Sequence, residues 1–210
     1  MLFQLALLPG LLSSFNSLLT HPFSKAEVNF TYFLINFIAV CVIFREFLHG
    51  SLKQAGAHPW MLCRAVFFGL AAYYLSIYLL NTAIARICPG FSNVNDSSIA
   101  SLAHGSFYLT AAGTVLLVPL TEECLFRGLI FRAIAGNSRA AAYLVSIAAF
   151  ASVHILSYIG SSSALTLLLC FLQYVPAALW LAWSYDESGT ILAPVLMHAV
   201  INAAAISSMR

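Results

Sequence analysis

The sequence predicts an all-α, polytopic integral membrane helix bundle of about seven helices, each long enough to cross a bilayer. Three observations carry that expectation. The 210-residue chain is 61% hydrophobic with a mean hydropathy of +0.92, more apolar surface than one soluble core can bury. Only 8% of its residues are charged. Finally, apolar stretches of spanning length alternate with short polar punctuation along the whole chain.

The first stretch, Leu2 to Leu19, lacks the basic leader and small-residue cleavage site of a secretory signal and reads as a membrane helix. Phe30 to Leu48 and Met61 to Ile87 follow, entered through His21-Pro22 and His58-Pro59. Pro89-Gly90 and the Ser/Asn/Asp-rich segment around Asp96 read as a loop before Phe107 to Ala135. Gly136-Asn137-Ser138 turns the chain into Ala140 to Ile159, with Ser138 as its cap. Ser163 to Trp183 and Thr190 to Ser208 complete the set, separated by Asp186-Glu187-Ser188-Gly189. No internal repeat is visible, so a transporter built from duplicated halves is not indicated.

Arg45, Lys53 and Arg64 between the second and third helices, and Arg132 and Arg139 after the fourth, place those connections in the cytoplasm, with the amino terminus inside. A net charge of +2 from dispersed basic residues gives no footprint for nucleic acid, so the lipid bilayer is the expected surroundings. The five cysteines show no paired spacing and read as small buried hydrophobes. No feature of the sequence fixes an oligomeric state.

Against this apolar background a few polar residues stand out. Glu122 and Glu123 lie between two apolar runs, and an ionisable group at bilayer depth costs several kcal/mol unless it faces a polar cavity. His154 and His198 lie in equally apolar surroundings, with Asn202 one turn after the second histidine. At 1.5 Å per residue, Glu122, His154, His198 and Asn202 fall roughly 14 to 22 Å from their assumed helix ends, within about two turns of a common depth. Glu123 and Arg127, four apart, share a face and can neutralise each other, while Glu122 points about 100° away. Pro119 should bend its helix and free carbonyls able to hold water. Phe150 reads as packing, and Tyr32, Tyr73, Tyr74, Trp60 and Trp183 as interface anchors or packing.

The ordered set Glu122-Glu123-x-x-x-Arg127, Phe150-x-x-x-His154 and His198-x-x-x-Asn202 resembles the three motifs of the CPBP family, the CAAX-protease and bacteriocin-processing (Abi) membrane proteins. Gly128, and the approach from Asp186 through Pro194 to His198, also look like that family. The resemblance covers roughly Gly105 to Ala205, which makes 105–210 the expected CPBP-like catalytic membrane core and leaves 1–104 as amino-terminal membrane helices of unassigned role. It implies a glutamate-dependent intramembrane endopeptidase related to type II CAAX prenyl endopeptidases. Glu122 would be general base on a water positioned by His154, and His198 with Asn202 would form the oxyanion hole. Glu123 and Arg127 would be a supporting pair, with a substrate carboxylate as the lesser reading of Arg127. The implied partner is a membrane-anchored protein or peptide, cleaved for peptide maturation or removal of a sorting signal, with a prenylated CAAX-type tail as the less favoured substrate. The compact chain, short loops and lack of a retention signal point to a bacterial inner (plasma) membrane.

Two other readings use the same residues. Glu122, His154 and His198 are a possible two-His-one-carboxylate zinc set, although no HExxH segment is present; the first reading has no cofactor. Alternatively, buried acids and histidines serve a proton-coupled carrier or a non-enzymatic immunity protein, against which stands the non-titrating Asn202.

Overall fold

The computed structural model describes residues 8–209, so the expected start of the first helix at Leu2 lies outside the described residues. Nine helices and no strand are present among those residues: α1 (Leu8–Ser17), α2 (Lys25–Ile43), α3 (Arg45–Ala57), α4 (Pro59–Ile87), α5 (Val94–Gly105), α6 (Phe107–Ala135), α7 (Arg139–Val153), α8 (Ala164–Ser188) and α9 (Leu192–Ser207). The molecule is the all-α membrane bundle that composition predicts. Helices α2, α4, α6 and α8 have the length and hydropathy to cross a membrane; α7 and α9 are apolar but shorter.

Local chemistry explains the boundaries. Ser24 and Glu27 close a reciprocal capping box at the start of α2. Pro59 occupies the first turn of α4, where its missing N–H costs nothing. Ser138 accepts the Ala141 N–H at 3.2 Å and caps α7, as expected. Helix α8 is capped by Ser163, carries Pro176 inside it, and stops at Gly189 with φ +66°, a left-handed conformation favouring glycine.

Four expectations need correction. The second stretch begins at Lys25 rather than Phe30 and breaks at Phe44, after which the supposed connection carrying Arg45 and Lys53 is itself the helix α3. The supposed loop around Asp96 is the helix α5, whose cap is Asn93, accepting the backbone N–H groups of Asn95 and Asp96. Helix α7 ends at Val153 instead of reaching Ile159: the His154 ring, through Nδ1, bonds the Phe150 carbonyl at 2.8 Å, in competition with the helical ladder. Lastly, the cysteines are free, but only Cys124 and Cys170 are buried, while Cys63 is exposed.

The bundle closes where α8 packs against α4, α7 and α9. Ala142, Ala178, Ala182 and Ala193 are fully buried and allow close helix approach, the usual solution where lipid gives no hydrophobic drive between helices. Phe126, Phe150, Leu181 and Met197 fill the centre. Helix α3 docks by a different device: a Cβ added at Gly128 would lie 2.8 Å from Phe47 Cε1, so the missing side chain is the seat for that ring. Gly128→Ala is therefore expected to destabilise the protein by about 1–3 kcal/mol through overpacking, measured by thermal unfolding in detergent.

Candidate active site

Helix α6 is not regular. It carries π-helical turns at Gly113–Leu117 and Cys124–Phe131, on either side of the segment Val118–Glu123 that holds both glutamates. Such turns often mark functional segments. The Val118 N–H reaches back to the Gly113 carbonyl, and Pro119 has no N–H to offer, so the Thr114 carbonyl is left without a donor from either residue. Asn202 supplies one from α9, its Nδ2 donating to Thr114 O at 2.7 Å. The carbonyl freed by the proline thus serves as an interhelical tie rather than as a water seat. Asn202→Leu should leave it unpaired, costing about 1–3 kcal/mol in thermal stability as well as any turnover.

Two adjacent carboxylates, about 100° apart around the helix, have different surroundings. Glu123 and Arg127 are fully buried; Arg127 Nη1 donates to Glu123 Oε1 at 3.0 Å and lies 2.9 Å from Oε2. Arg127 Nη2 donates to the Ala178 carbonyl at 2.7 Å, and the guanidinium sits 4.7 Å from the centre of the Phe150 ring. This commitment leaves no exposed donor for a substrate carboxylate. Glu123 Oε1 also receives His198 Nδ1–H at 2.7 Å. One carboxylate therefore neutralises the arginine and orients a histidine, a link that sequence spacing alone did not show.

Glu122, a quarter exposed, faces the other way, and its Oε2 has no hydrogen-bond partner in the protein. His154 Nε2 lies 3.8 Å from that oxygen and His198 Nε2 4.0 Å, too far for direct hydrogen bonds and suited to one intervening water. Because a carbonyl and a carboxylate only accept, the Nδ1 atoms of His154 and His198 must both be the protonated ones, which turns each Nε2 toward Glu122. His154 is held by its ring as well as by that bond: it stacks on Tyr174, 4.2 Å between centroids and 24° between planes, with Phe150 beside it.

Glu122, His154, His198 and Asn202 line one cavity of about 400 Å³, walled on its far side by α2 and α5. All four of these expected residues, from three helices, are brought together there, with Glu123 and Arg127 directly behind. Tyr32, read from sequence as an anchor or packing, lines the cavity too, as do Asp96 and Tyr174. Asn93 followed three residues later by Asp96 was the available hint that this stretch starts a helix. Among the described residues, no group of three or more His, Cys, Asp or Glu side chains is spaced to hold a metal ion.

Comparison with known proteins agrees with the motifs. Residues 104–204 match the family model described as type II CAAX prenyl endopeptidase Rce1-like. The chain is also 30% identical to UPF0177 protein YxdF of Lactococcus lactis subsp. lactis (strain IL1403) over 140 residues, 65% of this chain and 69% of that protein. No solved structure gives a significant match. With the matched region containing the paired glutamates, both histidines and the asparagine, the chain belongs to the CPBP family of membrane proteins, the protease family of the type II CAAX prenyl endopeptidases.

Proposed function

We propose that the protein is a glutamic-type intramembrane endopeptidase that hydrolyses a peptide bond near the terminus of a membrane-anchored protein or peptide, in a bacterial plasma membrane. The observation that carries this reading is Glu122 Oε2, free of protein donors and facing two imidazole Nε2 atoms about one water's width away. In the proposed reaction Glu122 takes a proton from the water as its oxygen bonds to the scissile carbonyl carbon, and His154 fixes the direction of attack. His198, protonated, and the second Asn202 N–H donate to the developing oxyanion, an interaction worth a few kcal/mol in a shielded site. Glu122 then passes its proton to the leaving nitrogen as the C–N bond breaks. Maturation of a peptide or removal of a sorting signal is preferred over cleavage of a prenylated tail, since the Arg127 guanidinium beside the site is sealed behind Glu123 and offers nothing to a terminal carboxylate. Residues 105–210 form the catalytic part in this reading, with α2 and α5 as walls of its substrate cavity.

Zinc on Glu122, His154 and His198 is the competing reading; the three side chains converge on one point but would have to shift to become ligands, since they are not spaced to hold a metal ion as they stand. The purified protein in nanodiscs, incubated with a pool of single-span reporter peptides with and without chelator, separates the two. Cleavage insensitive to chelator and lost in His198→Ala is the expected result. Loss to chelator, restored by zinc, would move the chemistry to the metal. If no reporter is cut, the peptidase reading loses to the non-enzymatic one.

A further inference from the structure

A second chamber of about 210 Å³ opens beside the catalytic histidines, between α4, α8 and α9. It shares His154, His198, Asn202, Asp96 and Tyr174 with the main cavity, so a substrate lying along Glu122 would have this chamber at its side. Besides an amide rim of Asn81, Asn93 and Gln173 and the shared histidines, its walls are of two kinds. Ile77, Phe150, Leu181 and Ile201 make an apolar shaft, while Asp96, flanked by Tyr73 and Tyr174, supplies a single carboxylate.

Among the described residues that carboxylate has no counter-ion: none of the lysines or arginines lines either cavity, and Asp96 makes no ion pair with any of them. Its one side-chain hydrogen bond is the long one from the Tyr174 hydroxyl to Oδ1 at 3.3 Å. A service to the start of α5 does not explain it, because the Asn93 side chain already caps that helix and the Asp96 side chain reaches across to α8 instead. The surrounding protein pushes the Asp96 carboxyl above the ordinary carboxylate value by desolvation, with Tyr174 and His154 pulling the other way. Nearby amides are already satisfied by one another: Asn93 Nδ2 donates to Gln173 Oε1 at 2.9 Å, and Gln173 Nε2 to Asn81 Oδ1 at 2.8 Å. The rim is thus fixed and neutral, and the acid is the charge left to match.

An apolar shaft, two tyrosine rings and one uncompensated carboxylate fit a long side chain with an aliphatic stem and a cationic head. We propose that this chamber is the specificity pocket for a lysine or arginine close to the scissile bond, with Asp96 receiving the charged head. The assignment rests on the peptidase reading above and narrows its substrate to membrane-anchored chains with a basic residue beside the cut. Glu122, on the same cavity, adds to the negative field that favours such a residue.

The test uses full-length protein in nanodiscs and single-span peptides in which one Lys, Gln or Glu is walked through the membrane-flanking segment. Because Asp96, although partly desolvated by the protein around it, is still reached by solvent, screening limits the expected preference for Lys over Gln to about tenfold in kcat/KM at the best position. Asp96→Asn should bring that ratio near one, and Asp96→Lys should reverse it in favour of Glu. A Lys preference undiminished in Asp96→Asn, or no preference at any position, overturns the pocket. Should the wild type cut none of the peptides, the peptidase reading fails separately. The pocket is then judged by binding of the same peptides to Glu122→Gln protein: a Lys preference that Asp96→Asn removes upholds it, and equal binding ends it.

Discussion

Glu122→Gln is expected to lower the rate of peptide hydrolysis by about 10²- to 10⁴-fold, the usual contribution of a positioned general base, with little change in substrate binding. Glutamine keeps the shape of the side chain and still lines the cavity, but its amide cannot take a proton from water. The accompanying stability measurement is as informative as the rate. Glu122 makes no close ion pair, its Oε2 meets no donor, and the histidines stand 3.8 and 4.0 Å away, so the fold has no direct contact that depends on its charge. Thermal unfolding of the variant should therefore occur at or slightly above the wild-type temperature, as is common when an active-site charge is neutralised. Loss of activity with retained stability is the signature of a reacting group. A variant that cuts peptides at the wild-type rate would remove Glu122 from the reaction.

How much of this could be read from the chain depends on what sets each feature. Hydropathy made the bundle legible, since a bilayer admits few solutions for long apolar runs. The six polar residues of the site were legible for the same reason, because each stands against a uniform background that makes a buried charge conspicuous. Helices α3 and α5 were hidden because their sequences are polar and their stability comes from packing and capping; Gly50, Gly56 and the Asn-Asp-Ser-Ser run look like turn signals in isolation. The end of α7 was missed because it depends on a side-chain bond, His154 to Phe150, that competes with an otherwise good helical pattern. Spacing paired Glu123 with Arg127, but only the arrangement of α6 against α9 connects Glu123 to His198, and that contact crosses 75 residues of chain.

This double duty of Glu123 makes Arg127 the position where a single change should cost most in stability. Arg127→Met leaves a carboxylate with no exposure to solvent, without its arginine and with only the His198 Nδ1–H as donor, and breaking a buried pair in this way costs about 3–5 kcal/mol. The loss should show as a fall in unfolding temperature, or in the denaturant midpoint, of the purified protein. Arg127→Lys should fall between, since one ammonium can meet Glu123 but cannot also fork to the Ala178 carbonyl as the guanidinium does. The double variant Glu123→Gln with Arg127→Met distinguishes a charge effect from a packing effect. Its glutamine keeps an oxygen for His198 Nδ1–H while removing the stranded charge, so it should recover a substantial part of the stability lost in Arg127→Met. Losses that simply add would mean that the pair is held apart from its charges, by the packing of Arg127 over Phe150, and that His198 owes its orientation to something other than this carboxylate.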